Sequence, residues 1–169
     1  MKKIIIIISA IALSSCMKDH GQKAADLEFI SINKDTQTHF YTVSFRSNIE
    51  LLNLFKPSQD MSVISKQLIC SLDTPAIFEM DKRIDSYAIG DFQRSHNEQF
   101  SYEYEASIYF AQTKAQGTSF DYLKENYLKK QLAERISLPC KVKITLYPYR
   151  AYYSNTLTIP TQQILEAIK

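Results

Sequence analysis

Three histidines and three cysteines are the side chains of this sequence best suited to nucleophilic, proton-transfer or metal chemistry. His96 follows Ser95, a base beside a nucleophile by type. Adjacency in sequence does not set the geometry a hydroxyl and an imidazole need, and a solvated loop accounts for the pair as well. His39 alternates with Tyr41, Val43 and Phe45, which places it among packed, hydrogen-bonded core positions of a strand. His20 falls in a polar N-terminal stretch. Glu103 and Glu105 project from one side of a strand, a spacing open to a pair of catalytic carboxylates. Acid–base work needs the two in unequal environments, which spacing alone does not create. Lys141 and Lys143 repeat that spacing, and the four residues form a cross-strand charge pattern if their strands are neighbours. Neither Cys70 nor Cys140 belongs to a CxxC pair, and no histidine stands beside either, so redox catalysis and zinc are both poorly served. No GxSxG, HExxH, Walker A, EF-hand or dinucleotide motif occurs, and three glycines leave little material for phosphate-cradling loops. No catalytic residue, metal or cofactor is expected, and the protein is read as a non-enzyme.

The N-terminus carries a stronger pattern. Lys2 and Lys3 precede a run from Ile4 to Leu13 that is apolar apart from Ser9 and too short for a final bilayer span. It ends in Leu13-Ser14-Ser15-Cys16. This resembles the signal peptide and lipobox of bacterial lipoproteins. The resemblance covers only this segment. It implies that residues 1–15 are removed and that Cys16 becomes an acylated N-terminus. Two or three acyl chains on one residue give lasting attachment, where a single chain would be marginal. Met17 stands where an Asp would favour inner-membrane retention, so the expected location is the outer membrane, facing the periplasm, with surface exposure as the variant. The lipid bilayer is then the first expected partner. Residues 16–24 form the lipidated N-terminus and a short polar tether, and 25–169 a single globular domain.

With Cys16 committed to lipid, an exported chain can use Cys70 and Cys140 as a disulfide. Alternation puts Cys70 with Leu68 and Leu72, and Cys140 with Val142, Ile144 and Leu146, so both lie on the core faces of strands. Closing a loop of about 71 residues stabilises the fold by roughly 4 kcal/mol through chain entropy.

The elements that position these groups follow from period and punctuation. Strands are predicted over 26–33, 38–46, around Cys70, over 102–111, 140–147 and 154–159. Within 102–111, Tyr102, Tyr104, Ala106, Ile108 and Phe110 form the apolar face, and Tyr109 shares the wetter one. Helical spacing marks 49–55, 120–136 and a short segment after Pro160. Gly90 reads as a turn in the mixed stretch 77–94, and Gly117-Thr118 as a break before the second helix. The fold class is therefore α+β: one compact domain with an antiparallel β-sheet or small β-sandwich and two or three short helices.

Charge narrows the partners. The whole chain has 20 Lys and Arg against 18 Asp and Glu; without Lys2 and Lys3, positive and negative side chains balance at 18 each. That removes the electrostatic case for nucleic acid. Tyr149, Arg150, Tyr152 and Tyr153 sit beside Pro148 and the polar Ser154-Asn155 exit, the composition of a protein-binding patch. The leading expectation is an envelope lipoprotein that binds or positions another envelope protein, in an adaptor or structural role. A small-molecule or glycan carrier is the alternative, favoured by a lined cavity, and an envelope hydrolase the weakest reading.

Overall fold

A computed structural model describes residues 17–56, 60–79, 82–95, 102–114 and 117–169. Cys16 with the segment before it, and His96, lie outside the described residues. The strands are β1 (Leu27–Lys34), β2 (Phe40–Ser47), β3 (Ser62–Ser71), β4 (Ser86–Arg94), β5 (Glu103–Lys114), β6 (Ser119–Tyr122), β7 (Ser137–Tyr147), β8 (Tyr152–Tyr153) and β9 (Leu157–Pro160). Two helices complete the set, α1 (Glu125–Ala133) and α2 (Thr161–Ala167). The strands form a single nine-stranded sheet in the order β1-β2-β5-β4-β3-β7-β8, with β6 added on β5 and β9 on β7. Every pairing is antiparallel. The sheet curls into a half-barrel, so that β1 near one margin packs against β9 and α2 near the other.

The inner face carries the core that alternation predicts. Val43, Phe45, Leu68, Ala106, Ile108, Val142 and Ile144 are fully buried there. Leu128 and Leu132, four apart on α1, and Ile164 of α2 complete the same cluster. Cys70 and Cys140 face each other in the β3–β7 register and form the expected disulfide. Their Cα atoms are 3.9 Å apart and both residues are fully buried.

Three local expectations change. Gly90 is no turn: it sits inside β4, where a Cβ would lie 1.8 Å from the Ser107 carbonyl oxygen of β5. The close approach of two backbones in a curled sheet demands glycine at this point. Residues 49–55 make turns instead of a helix, because the Glu50 carboxylate accepts the backbone N–H of Leu52 (2.9 Å) and of Asn53. A side chain that bonds the local backbone competes directly with the helical ladder. The helix expected over 120–136 starts late, at Glu125, because Phe120 and Tyr122 pair as strand residues with Thr113 and Ala111 of β5.

Two buried tyrosines fasten the segments that cover the core. Tyr104 Oη accepts the Leu51 N–H at 2.8 Å and donates to Glu50 at 3.2 Å. Tyr152 Oη accepts the Ala25 N–H at 2.7 Å. Burial pushes the Tyr104 hydroxyl up to about 12, and burial with the nearby Glu125 carboxylate does the same for Tyr41. A raised phenol pKa leaves stability whole below the ordinary value of 10.0 and removes it as pH climbs toward 12. Thermal unfolding followed by circular dichroism should accordingly show the midpoint falling steeply between those two pH values. In Tyr104→Phe the fall should be shallower, from a lower starting midpoint.

Candidate functional site

Strand alternation sends every second side chain to the outer face of the sheet. Over β3, β4 and β5 that face is not polar throughout. Ile69, Ile89 and Tyr109 lie in register across the three strands, and Tyr87 stands one pleat along from Ile89. They floor a groove of about 360 Å³. Phe78 and Ile84, from the segment before β4, raise one wall, and Phe120 of β6 raises the other. Phe120 stacks on Tyr109 with ring centres 5.6 Å apart and planes inclined by 26°. The β5–β6 turn that holds it passes through Gly117 at φ +97, in the left-handed region where side chains other than glycine's are strained.

The remaining lining is polar and mixed in charge, with Lys82, Arg83 and Lys143 as cations and Glu79 as a carboxylate. Lys143 and Tyr153 are directly opposite in the β7–β8 register and both line it. No carboxylate pairs with the half-buried Lys143 among the described residues. Arg83 on the wall is held by Asp85 at 2.8 Å, and Lys141 places its ammonium 5.8 Å from the Phe78 ring centre. Burial raises the Tyr153 and Tyr109 hydroxyls above the ordinary phenol value, and burial raises that of Tyr87 against an opposing hydrogen bond from Thr113. At neutral pH all three are therefore uncharged donors and acceptors on an apolar floor. Among the described residues neither histidine nor cysteine lines the groove. The groove thus presents aromatic and aliphatic side chains on its floor, with the Lys143 ammonium at its edge.

No family model, curated protein or solved structure matches this chain.

The residues singled out by type in the sequence are scattered. His39 is not a core residue: it is exposed just before β2 and stacks on Tyr122 at 5.7 Å. The alternation of Tyr41, Val43 and Phe45 is real, but the strand begins one residue too late to include it. Glu103 is buried and paired with Arg46 at 2.8 Å, whereas Glu105 accepts the Ser95 hydroxyl at 3.0 Å. They do not act as a pair. Nor do they face Lys141 and Lys143, since β4 and β3 stand between β5 and β7. Among the described residues no group of three or more His, Cys, Asp or Glu is arranged to hold a metal ion.

The patch at Tyr149, Arg150, Tyr152 and Tyr153 is also divided. Tyr152 is fully buried, so it cannot meet a partner, and Tyr153 turns to the opposite face and joins the groove. Tyr149 is half-buried under Lys18, and Arg150 is exposed. Successive residues of a strand face opposite sides, which forbids one patch from using both Tyr152 and Tyr153. Sequence patterns did not single out Tyr87, Tyr109, Phe120 and Lys143 as a site. The available signal was aromatic residues at outward positions, where a solvent-facing strand normally carries polar ones.

Proposed function

We propose that this protein is an acylated envelope lipoprotein, anchored through Cys16 and facing the periplasm from the outer membrane, that binds a small molecule or glycan in the outer-face groove. The groove itself carries this reading. Its size falls within the range of small-ligand sites, and its apolar floor with a few convergent polar groups is their usual composition. Aromatic faces such as those of Tyr109 and Phe120 suit the flat or hydrocarbon face of a ring. Lys143 and the tyrosine hydroxyls supply the directional contacts. The reading is of a binding protein, since the lining is chiefly aromatic and aliphatic side chains with a few polar groups among them.

An anionic naphthalene dye, 1-anilinonaphthalene-8-sulfonate, combines a ring-bearing body with an acid and serves as the probe. Its fluorescence should rise on titration with the purified protein. Tyr109→Ala should weaken binding roughly tenfold, the loss expected for about 1.4 kcal/mol of stacking and burial. Lys143→Ala should weaken it several-fold and leave the binding of an uncharged analogue unchanged. Both variants should keep a cooperative thermal transition. Equal dye affinity in wild type and both variants would sink the groove as a ligand site. Native mass spectrometry of protein extracted from membranes then tests for a resident ligand, which Tyr109→Ala should lose.

A further inference from the structure

Residues 17–25 do not behave as a free tether. Lys18 forms a parallel bridge with Tyr149, and the Arg150 N–H donates to the Lys18 carbonyl oxygen at 3.0 Å. The Lys18 ammonium lies 5.8 Å from the centre of the Tyr149 ring. The His20 ring then packs against Phe55 and Tyr152, at 5.4 and 5.6 Å, before the buried Ala25 reaches the Tyr152 hydroxyl. From Lys18 onward the chain is thus fastened to the domain. Cys16 is two residues earlier, a reach of about 7 Å at full extension. An acyl-bearing Cys16 would bring the bilayer surface to this end of the sheet.

That end has the composition of a surface that meets lipid. Met17 is 40% exposed, Tyr147 at the end of β7 is 68% exposed, and Ile64 is 65% exposed. Ile64 occupies the irregularity between Val63 and Ser65, which pair with Leu146 and Thr145, so it lies at the same end of β3 as Ser62, the partner of Tyr147. Lys18 and Arg150 are exposed next to these apolar side chains. Asp19 follows Lys18; its carboxylate accepts the Gly21 N–H at 3.1 Å and lies within electrostatic reach of Arg150. Tyrosines and cations flanking apolar side chains suit the headgroup level of a bilayer, and Lys and Arg are drawn to anionic lipid.

We infer that this end of the domain, formed by Met17, Ile64, Tyr147, Lys18 and Arg150, lies against the membrane surface with the two cations on anionic headgroups. The inference rests on the acylated Cys16 of the proposed function. It also orients the groove. Lys143 stands four residues back from Tyr147 along β7, about 13 Å at the rise of a strand, so the groove is held clear of the headgroups.

The full chain, purified from membranes, is reconstituted in vesicles of phosphatidylethanolamine and phosphatidylglycerol. Nitroxide labels are attached in turn at Ile64→Cys, Tyr147→Cys and Ile136→Cys, the last at the far end of β7 and 93% exposed. At 64 and 147 the labels should lose relaxation by an aqueous nickel chelate and gain it from oxygen, which concentrates in lipid. The label at 136 should stay fully open to nickel. Lys18→Glu with Arg150→Glu should restore nickel access at 147. Labels at 64 and 147 as open to nickel as the label at 136 overturn the docking face, and an unaltered contrast in the double variant overturns the role of the two cations. Intact mass of the same preparation reports acylation separately. An acylated chain with open labels refutes the docking face and leaves the anchor standing; an unacylated chain with shielded labels does the reverse.

Discussion

Replacing Tyr152 with Ala should lower folding stability by about 3–5 kcal/mol, the range for deleting a large aromatic side chain from a core. Tyr152 is fully buried, and its ring packs edge-on against Phe55 at 5.8 Å and beside His20. Its hydroxyl is the acceptor for the N–H of Ala25, a buried residue of the N-terminal strap. Truncation therefore removes three things together: apolar contact, a filled volume, and the partner of a buried donor, which is costly to leave unpaired. Tyr152→Phe separates them. It keeps the ring and should cost only about 1–2 kcal/mol, the range for a buried hydrogen bond. Urea unfolding of the three proteins gives the comparison. An alanine variant as stable as wild type would mean that the strap does not rest on this ring.

Removing the Cys70–Cys140 bridge should have an effect of similar size. The cysteines are 70 residues apart in the chain, and their link restricts the unfolded ensemble over almost half its length. In the chain-entropy account such a loop is worth about 4 kcal/mol. The bridge joins β3 to β7, and between these two strands in sequence lie β4, β5, β6 and α1. Serine in both positions adds two buried hydroxyls to an apolar layer, so the double alanine variant is the cleaner test. Its unfolding midpoint in urea should fall with little change in slope. Wild-type protein treated with a reductant strong enough to open the buried bridge should match it. If the groove is intact in the folded fraction, dye binding per folded molecule should be unchanged.

These effects concern residues whose partners were hidden to different degrees in the sequence. The cysteine pair was legible because two independent patterns met on it: an N-terminal segment resembling a lipoprotein signal singled out Cys16 and left the other two thiols to each other, and alternation put both on apolar faces. The strand around Tyr104, Ala106, Ile108 and Phe110 was equally legible, since a period of two sustained over many residues fits an extended chain and no helix. The second helix was only half legible. Phe120 fits either period, and its pairing with Thr113 of β5, a contact closed by the Gly117 turn, decided for strand. Tyr152 and Tyr153 could not be assigned to sides, because a strand of two residues has no alternation to read.

By itself the sequence determined the α+β class, the main strands of one antiparallel sheet, the inward faces of those strands and the cysteines able to meet. All of these depend on local period, on punctuation by proline and glycine, or on the chemistry of a residue type, and each acts over a few neighbours. The tertiary structure alone decided the order of strands, the curl that requires Gly90, and which outward aromatics meet. Tyr87, Ile89 and Tyr109 come from two strands, Phe120 from a third and Lys143 from a fourth, so their convergence is a property of sheet order and register. The same holds for Lys18 on Tyr149, where 131 residues of chain separate the two partners of one bridge. Contacts over such distances are set by the global burial of apolar surface, which no local window of sequence contains.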